Sequence, residues 1–261
     1  MATFSDLYGA ALDVQLNDAD RTQLFTTARR KHEINEGERE FIKQTDCLVK
    51  QSSVALSTAT VTGSSGVHEV NLSSALPDLM WPAPQDLELR QTDSNSLITY
   101  YGRDEFQRRD IPHLNRYKAG WRTSSPSVPN DWYLRSDDGT LYLGLTPPPK
   151  FDSSSMTWEV LFPYVAWPSS MTSDTAVPFG GSSGEQHLRP WQQALVHYAA
   201  SRLELLRGDV EASQRQAGMF AGYVADYKIH QRPKGGSQVQ FDRLYRRERA
   251  GRGRRDPHVD W

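Results

Sequence analysis

Histidine is the first residue type to test for chemistry, because imidazole serves both as metal ligand and as general base. The chain has seven: His32, His68, His113, His187, His197, His230 and His258. They stand singly. No two fall at helical ligand spacing with a carboxylate partner, so no metal site is expected, and His197 reads as a rim residue between helix stripes. A glycine loop followed by lysine, a dinucleotide fingerprint and a nucleophile elbow are all missing. Serines are plentiful, but none sits in a strand-turn-helix context that would expose it as a nucleophile. The acid pair Asp137-Asp138 lies in a turn, where aspartate serves the backbone. A glycosidase pair of distant carboxylates leaves no sequence trace. The expectation is a non-enzyme without cofactor.

Two further patterns suggest binding rather than catalysis. Trp81, Trp121, Trp132, Trp158 and Trp167 could form a sugar-binding face, although such residues more often fill a small β-core. Arg207-Gly208-Asp209 matches an adhesion tripeptide, yet a helix-to-helix corner accounts for all three residues. The strongest signal is charge. Residues 232–261 carry nine Lys/Arg against four Asp/Glu, a net of +5, whereas the preceding 231 residues carry 21 basic and 28 acidic side chains, a net of −7. The tail could be a solvated end, could bind nucleic-acid phosphates, or could dock on an acidic protein surface. Docking is favoured by its aromatics, which serve little purpose in a free arm. The candidate docking residues are Phe241, Arg243, Tyr245, Arg246, Arg247, Arg249, Arg252, Arg254, Arg255 and Trp261.

These patterns need elements to position them. With 261 residues and 37% hydrophobic content, the chain can bury a real core. It has no run of about eighteen apolar residues and so no expected membrane span. Residues 1–16 lack the pattern of a secretion signal. The single Cys47 excludes an intrachain disulfide and fits a reducing cytoplasm. The opening sixty residues read as helical. Ser5 is a candidate N-cap for a short helix carrying Leu7, Tyr8, Ala11 and Leu12. Asn17 or Asp18 then opens a longer helix that buries Leu24, Ala28, Ile34, Phe41 and Ile42. Its solvated face is Arg29, Arg30, Lys31, Glu36, Glu38, Arg39 and Glu40. From residue 60 alternation replaces the helical period, as in Leu141, Leu143 and Leu145 or Trp158, Val160 and Phe162. Asp137-Asp138-Gly139 reads as a hairpin turn, and 104–109 as one helical turn. Leu188 to Tyr227 then spells two helices. Leu188, Trp191, Leu195 and Tyr198 lead the first, continued by Leu203 and Leu206; Val210, Ala217, Phe220, Val224 and Tyr227 mark the second.

The expected fold is therefore α+β: a helical bundle of N-terminal helices and a C-terminal helix hairpin, an inserted antiparallel β-domain, and an extended C-terminal arm. Expected boundaries are 1–62 for the N-terminal helices, 63–185 for the insertion, 186–231 for the hairpin and 232–261 for the arm.

This order of elements resembles the head-tail adaptor (connector) proteins of tailed bacteriophages. The resemblance is carried by the long helix ending Glu33-Ile34-Asn35-Glu36-Gly37-Glu38-Arg39-Glu40-Phe41, by Gly120-Trp121-Arg122, by the proline-ended hairpin Asp137 to Pro149, and by Gly208-Asp209 at the late corner. It covers most of residues 1–231. It implies a virion structural protein of the neck, assembled in the host bacterial cytoplasm. Such adaptors form a closed ring of about twelve copies under the portal protein, meet tail or neck proteins, and enclose a bore through which DNA passes. The C-terminal extension of such proteins commonly engages the portal, and the arm here occupies the corresponding place. Outside virion architecture, the alternatives are a nucleic-acid-binding accessory protein using the arginine tail and a carbohydrate-binding protein using the Trp-rich region.

Overall fold

The computed structural model describes residues 2–16, 25–56, 68–83, 86–102, 104–118, 120–151, 156–179 and 186–231. The chain divides into two compact units. One comprises Met1–Thr45 and Ser170–Trp261, the other Asp46–Ser169. The second is thus inserted into the sequence of the first.

The first unit opens with α1 (Phe4–Asp6). Its N-cap is Thr3, not Ser5: the Thr3 hydroxyl accepts from the Asp6 N–H while the Asp6 carboxylate accepts from the Thr3 N–H at 2.8 Å, a complete capping box. A π-helical turn (Leu7–Ala11) and α2 (Leu12–Leu16) follow, burying Leu7, Leu12 and Leu16. The long helix, α3 (Thr27–Thr45), buries Ile34, Phe41 and Ile42 as expected. Leu24 and the proposed start at Asn17 or Asp18 lie outside the described residues, and Ala28 is exposed. Gly37 has a packing purpose. A Cβ there would stand 3.2 Å from the Leu195 carbonyl oxygen and from the Tyr198 ring, tighter than most Cβ contacts, so glycine favours this close approach of helices.

The partner at that approach is α6 (Gln192–Arg207), entered through a 3₁₀ segment (Gln186–Trp191). It buries Ala194, Leu195, Val196, Ala199, Ala200 and Leu203, nearly all round, as a central helix must. His197 is also buried, contrary to its expected rim position, because α7 (Val210–Gln231) covers it. Its ring stacks on Tyr223 at 5.6 Å and bonds Gln216 through Nδ1 at 2.6 Å. Gly208 ends α6 at φ +90° in a Schellman arrangement, with Gly208 N–H donating to the Leu205 carbonyl and Asp209 N–H to that of Glu204. Asp209 then caps α7 by accepting from the Ala212 N–H at 2.9 Å. Leu206, Val210 and Ala217, expected inside, are exposed. Phe220, Val224 and Tyr227 alone hold α7 down as buried residues, around Phe41.

The second unit contains two sheets. The first has the order β1 (Val49–Leu56), β9 (Thr157–Ala166), β4 (Glu88–Thr92), β5 (Ile98–Tyr101), with β3 (Leu79–Pro82) also paired to β9. The second has the order β2 (His68–Asn71), β8 (Thr140–Thr146), β7 (Asp131–Asp137), β6 (Gln107–Arg108). All pairs are antiparallel except β6 with β7. Two expectations are corrected. Residues 49–56, read as helical, form β1, whose lone buried positions Val54 and Leu56 alternate as a strand's do. The helical turn lies not at 104–109 but in α5 (Ile111–Tyr117), where Asp110 caps it by accepting from the His113 N–H. A one-turn helix, α4 (Leu72–Ala75), ends β2. The β7–β8 turn places both Asp138 and Gly139 at positive φ, which matches the strand twist. Gly144 is opposite Tyr133, whose ring carbon would lie 2.0 Å from any Cβ there. That vacancy lets the Tyr133 hydroxyl reach Glu69 at 2.9 Å, where Arg135 forks onto the same carboxylate.

Candidate functional site

The structure resolves most of the chemical candidates into structural roles. His68 is buried on β2, and burial pushes its imidazole down to about 4, so it is neutral; its Nε2 has no hydrogen-bond partner among the described residues. Among the described residues no three His, Cys, Asp or Glu side chains converge as a metal site. Trp121, Trp132 and Trp158 are buried in the β-unit, and the Trp81 indole N–H donates to Asp46. Trp167 is the exposed one of the five, so they form no aromatic platform. Arg207-Gly208-Asp209 is the helix corner already described. No described helix is long and apolar enough to cross a membrane. The docking residues proposed from sequence, Phe241, Arg243, Tyr245, Arg246, Arg247, Arg249, Arg252, Arg254, Arg255 and Trp261, lie outside the described residues.

Two features of the first unit were not anticipated. The first is a strap. Residues 170–179 return from the β-unit and run along α3 and α1, held by polar contacts from both. Asn35 donates to the Met171 carbonyl at 3.2 Å and accepts from the Met171 N–H at 2.8 Å. Asp174 accepts from Tyr8 at 2.9 Å and from Lys31 at 2.6 Å, and Arg39 donates to Ser170 at 2.9 Å. Backbone N–H groups of Phe4 and Ser5 donate to the carbonyls of Ala176 and Asp174. At its end, Phe179 sits at φ +64° with its ring on Phe41, and its N–H donates to Glu38 Oε1. Glu38 was expected on the solvated face of α3. It is buried instead, and burial pushes its carboxyl up to about 7, with the Phe179 N–H and the Arg39 charge opposing that rise. Arg30, expected on the same solvated face, is also buried, paired with Asp13 at 2.5 Å. Composition hid both: Glu38 is enclosed by the strap, 141 residues on, and Arg30 pairs with Asp13 of α2.

The second feature is the outward face of α7. Arg215, Gly218, Met219, Gly222, Tyr223 and Asp226 line a groove of about 590 Å³. A second hollow, of about 510 Å³, lies at the corner between Gln15, Glu204, Arg207, Asp209 and Gln216. Gln216 joins the unit's halves there by donating to the Gln15 carbonyl at 3.4 Å. Neither hollow gathers a nucleophile, a base and an oxyanion donor, which catalysis of acyl or phosphoryl transfer requires.

Over this architecture a family model described as SU10 adaptor protein matches residues 2–251, almost the whole chain. The chain belongs to the SU10 adaptor family. No curated protein matches it. As an SU10 adaptor it is a head-tail adaptor, a structural virion protein that connects capsid and tail, and its role is not catalytic. Its site is the neck, between capsid and tail.

Proposed function

We propose that this SU10 adaptor assembles as a ring of about twelve copies beneath the portal, with its C-terminal arm docked on portal protein and its outer surfaces offered to tail or neck proteins. DNA passes through the bore without sequence-specific contacts. Assembly takes place in the host bacterial cytoplasm. The observation that carries the arm's role is the charge division, +5 over residues 232–261 against −7 over the rest. About twelve such arms would bring on the order of sixty positive charges to one ring. Lining the bore, they would grip phosphate and slow DNA passage; facing portal carboxylates, they would fasten the ring. The acidic body, by the same argument, suits a channel that repels DNA.

The test is removal of residues 238–261. The truncated protein is expected to keep its helical and β content while losing portal binding. A truncated chain that assembles on the portal as well as the full chain overturns the docking role. Salt-sensitive DNA binding that vanishes with the arm, in a full chain with no portal affinity, would favour the nucleic-acid reading.

A further inference from the structure

The outward face of α7 is unusual for a helix in a protein of this size. Of its 22 residues only Phe220, Val224 and Tyr227 are buried. No charged residue occurs from Gln216 to Ala225, and within that stretch Met219 is 58% exposed. Gly218 and Gly222 sit in the helix interior, where glycine is disfavoured by its backbone entropy. Neither has a packing reason among the described residues, since none of their atoms lies within 4 Å of a Cβ built on either. Arg215 makes no ion pair among the described residues, and Asp226 meets only His230, one turn along at 3.2 Å.

The six residues of this groove are arranged symmetrically. Arg215 and Asp226 are equidistant from the midpoint between Phe220 and Ala221; so are Gly218 and Tyr223, and so are Met219 and Gly222. With about 3.6 residues per turn, all three pairs also straddle one line along the helix surface. A two-fold axis level with that midpoint, relating two antiparallel copies, sets Arg215 of one opposite Asp226 of the other, because both lie close to that line, and brings Met219 beside Gly222 near the centre.

We infer that the outer face of α7 is a self-docking surface, on which a second copy of the chain lays its own α7 antiparallel. Arg215 of each copy faces Asp226 of the other, and Met219 enters the space beside Gly222. The glycines let the backbones approach to the near end of the usual interhelical distance, about 8 Å. Charge complementarity chooses the second copy over an unrelated helix, and the antiparallel sense over the parallel one, which would set Arg215 beside Arg215. The contact is isologous and closes at two copies, whereas a ring joins two different faces head to tail. It therefore stands apart from the proposed ring and describes the free protein, before a portal is met.

Sedimentation velocity of the full chain, alone and over a concentration series, tests this. The expected result is a monomer–dimer equilibrium that weakens as salt is raised. Arg215→Asp and Asp226→Arg should each weaken pairing roughly tenfold by placing like charges together. The double variant carrying both should recover most of it, and Gly222→Leu should abolish pairing by filling the space Met219 enters. Circular dichroism of each variant checks that the fold is kept. A monomer at every concentration overturns the inference. So does an assembly indifferent to the single reversals, or a double variant no better than either one. Portal binding by the full chain is a separate readout, so the ring can hold where the pair fails.

Discussion

Glu38 shows how much one side chain can depend on distant sequence. Its carboxyl is enclosed between α3 and the strap, accepts one N–H from Phe179, and leaves Oε2 without a hydrogen-bond partner among the described residues. Enclosure favours the neutral form, so the folded group titrates near 7 while the unfolded one titrates near its usual 4.5. Folding then binds a proton between those values. Stability from this group is fully present below about pH 4.5, declines as pH rises, and is lost once the folded carboxyl ionises above about 7. The amount at stake is on the order of 3 kcal/mol. Glu38→Gln keeps an acceptor for Phe179 but does not titrate. Thermal unfolding of the variant should therefore change less between pH 5 and pH 8 than that of the parent, and equal pH dependence in both would refute the assignment. The flanking acids and bases of α3 hid this residue. A run such as Glu36-Gly37-Glu38-Arg39-Glu40 looks solvated by composition, and the strap that buries it is 141 residues away.

At the scale of elements, what was legible is what local physics controls. The alternation of Trp158, Val160 and Phe162 survives as β9, the aspartate-glycine turn survives as the β7–β8 hairpin, and Gly208 with Asp209 makes the helix corner. What was not legible depends on neighbours. Strand β1 shows no apolar alternation over Val49–Ser53, and its pairing with β9 along eight residues, not its own pattern, makes it a strand. Leu206, Val210 and Ala217 continue the apolar period of the helix hairpin but lie beyond the surface their partners cover. The corner itself carries a direct prediction. Asp209→Ala removes the acceptor for the Ala212 N–H, and Gly208→Ala forces a Cβ into the left-handed region; each should cost about 1 kcal/mol. Denaturant unfolding of the two variants, compared with the parent at equal m-value, measures it. No loss in either would mean that tertiary packing alone sets the corner.

For the whole molecule, the decisive properties are its insertion topology, its divided charge and its family. The first unit takes residues from both sides of the inserted β-unit, so the helices at the start and the hairpin near the end fold as one body. That order of elements was visible in the sequence because helical and strand periods differ, and it agrees with the SU10 adaptor match over residues 2–251. The candidate site was only partly visible. Charge proposes the arm, which lies outside the described residues, whereas the strap and the outer face of α7 required side chains to be placed in space. The most direct test of the central claim is electron microscopy of the full chain with the portal of its phage, beside the chain alone. The account predicts a ring of density capping the portal on its tail-facing side, with copies in register with portal subunits. Portal particles that remain bare at saturating adaptor would contradict it.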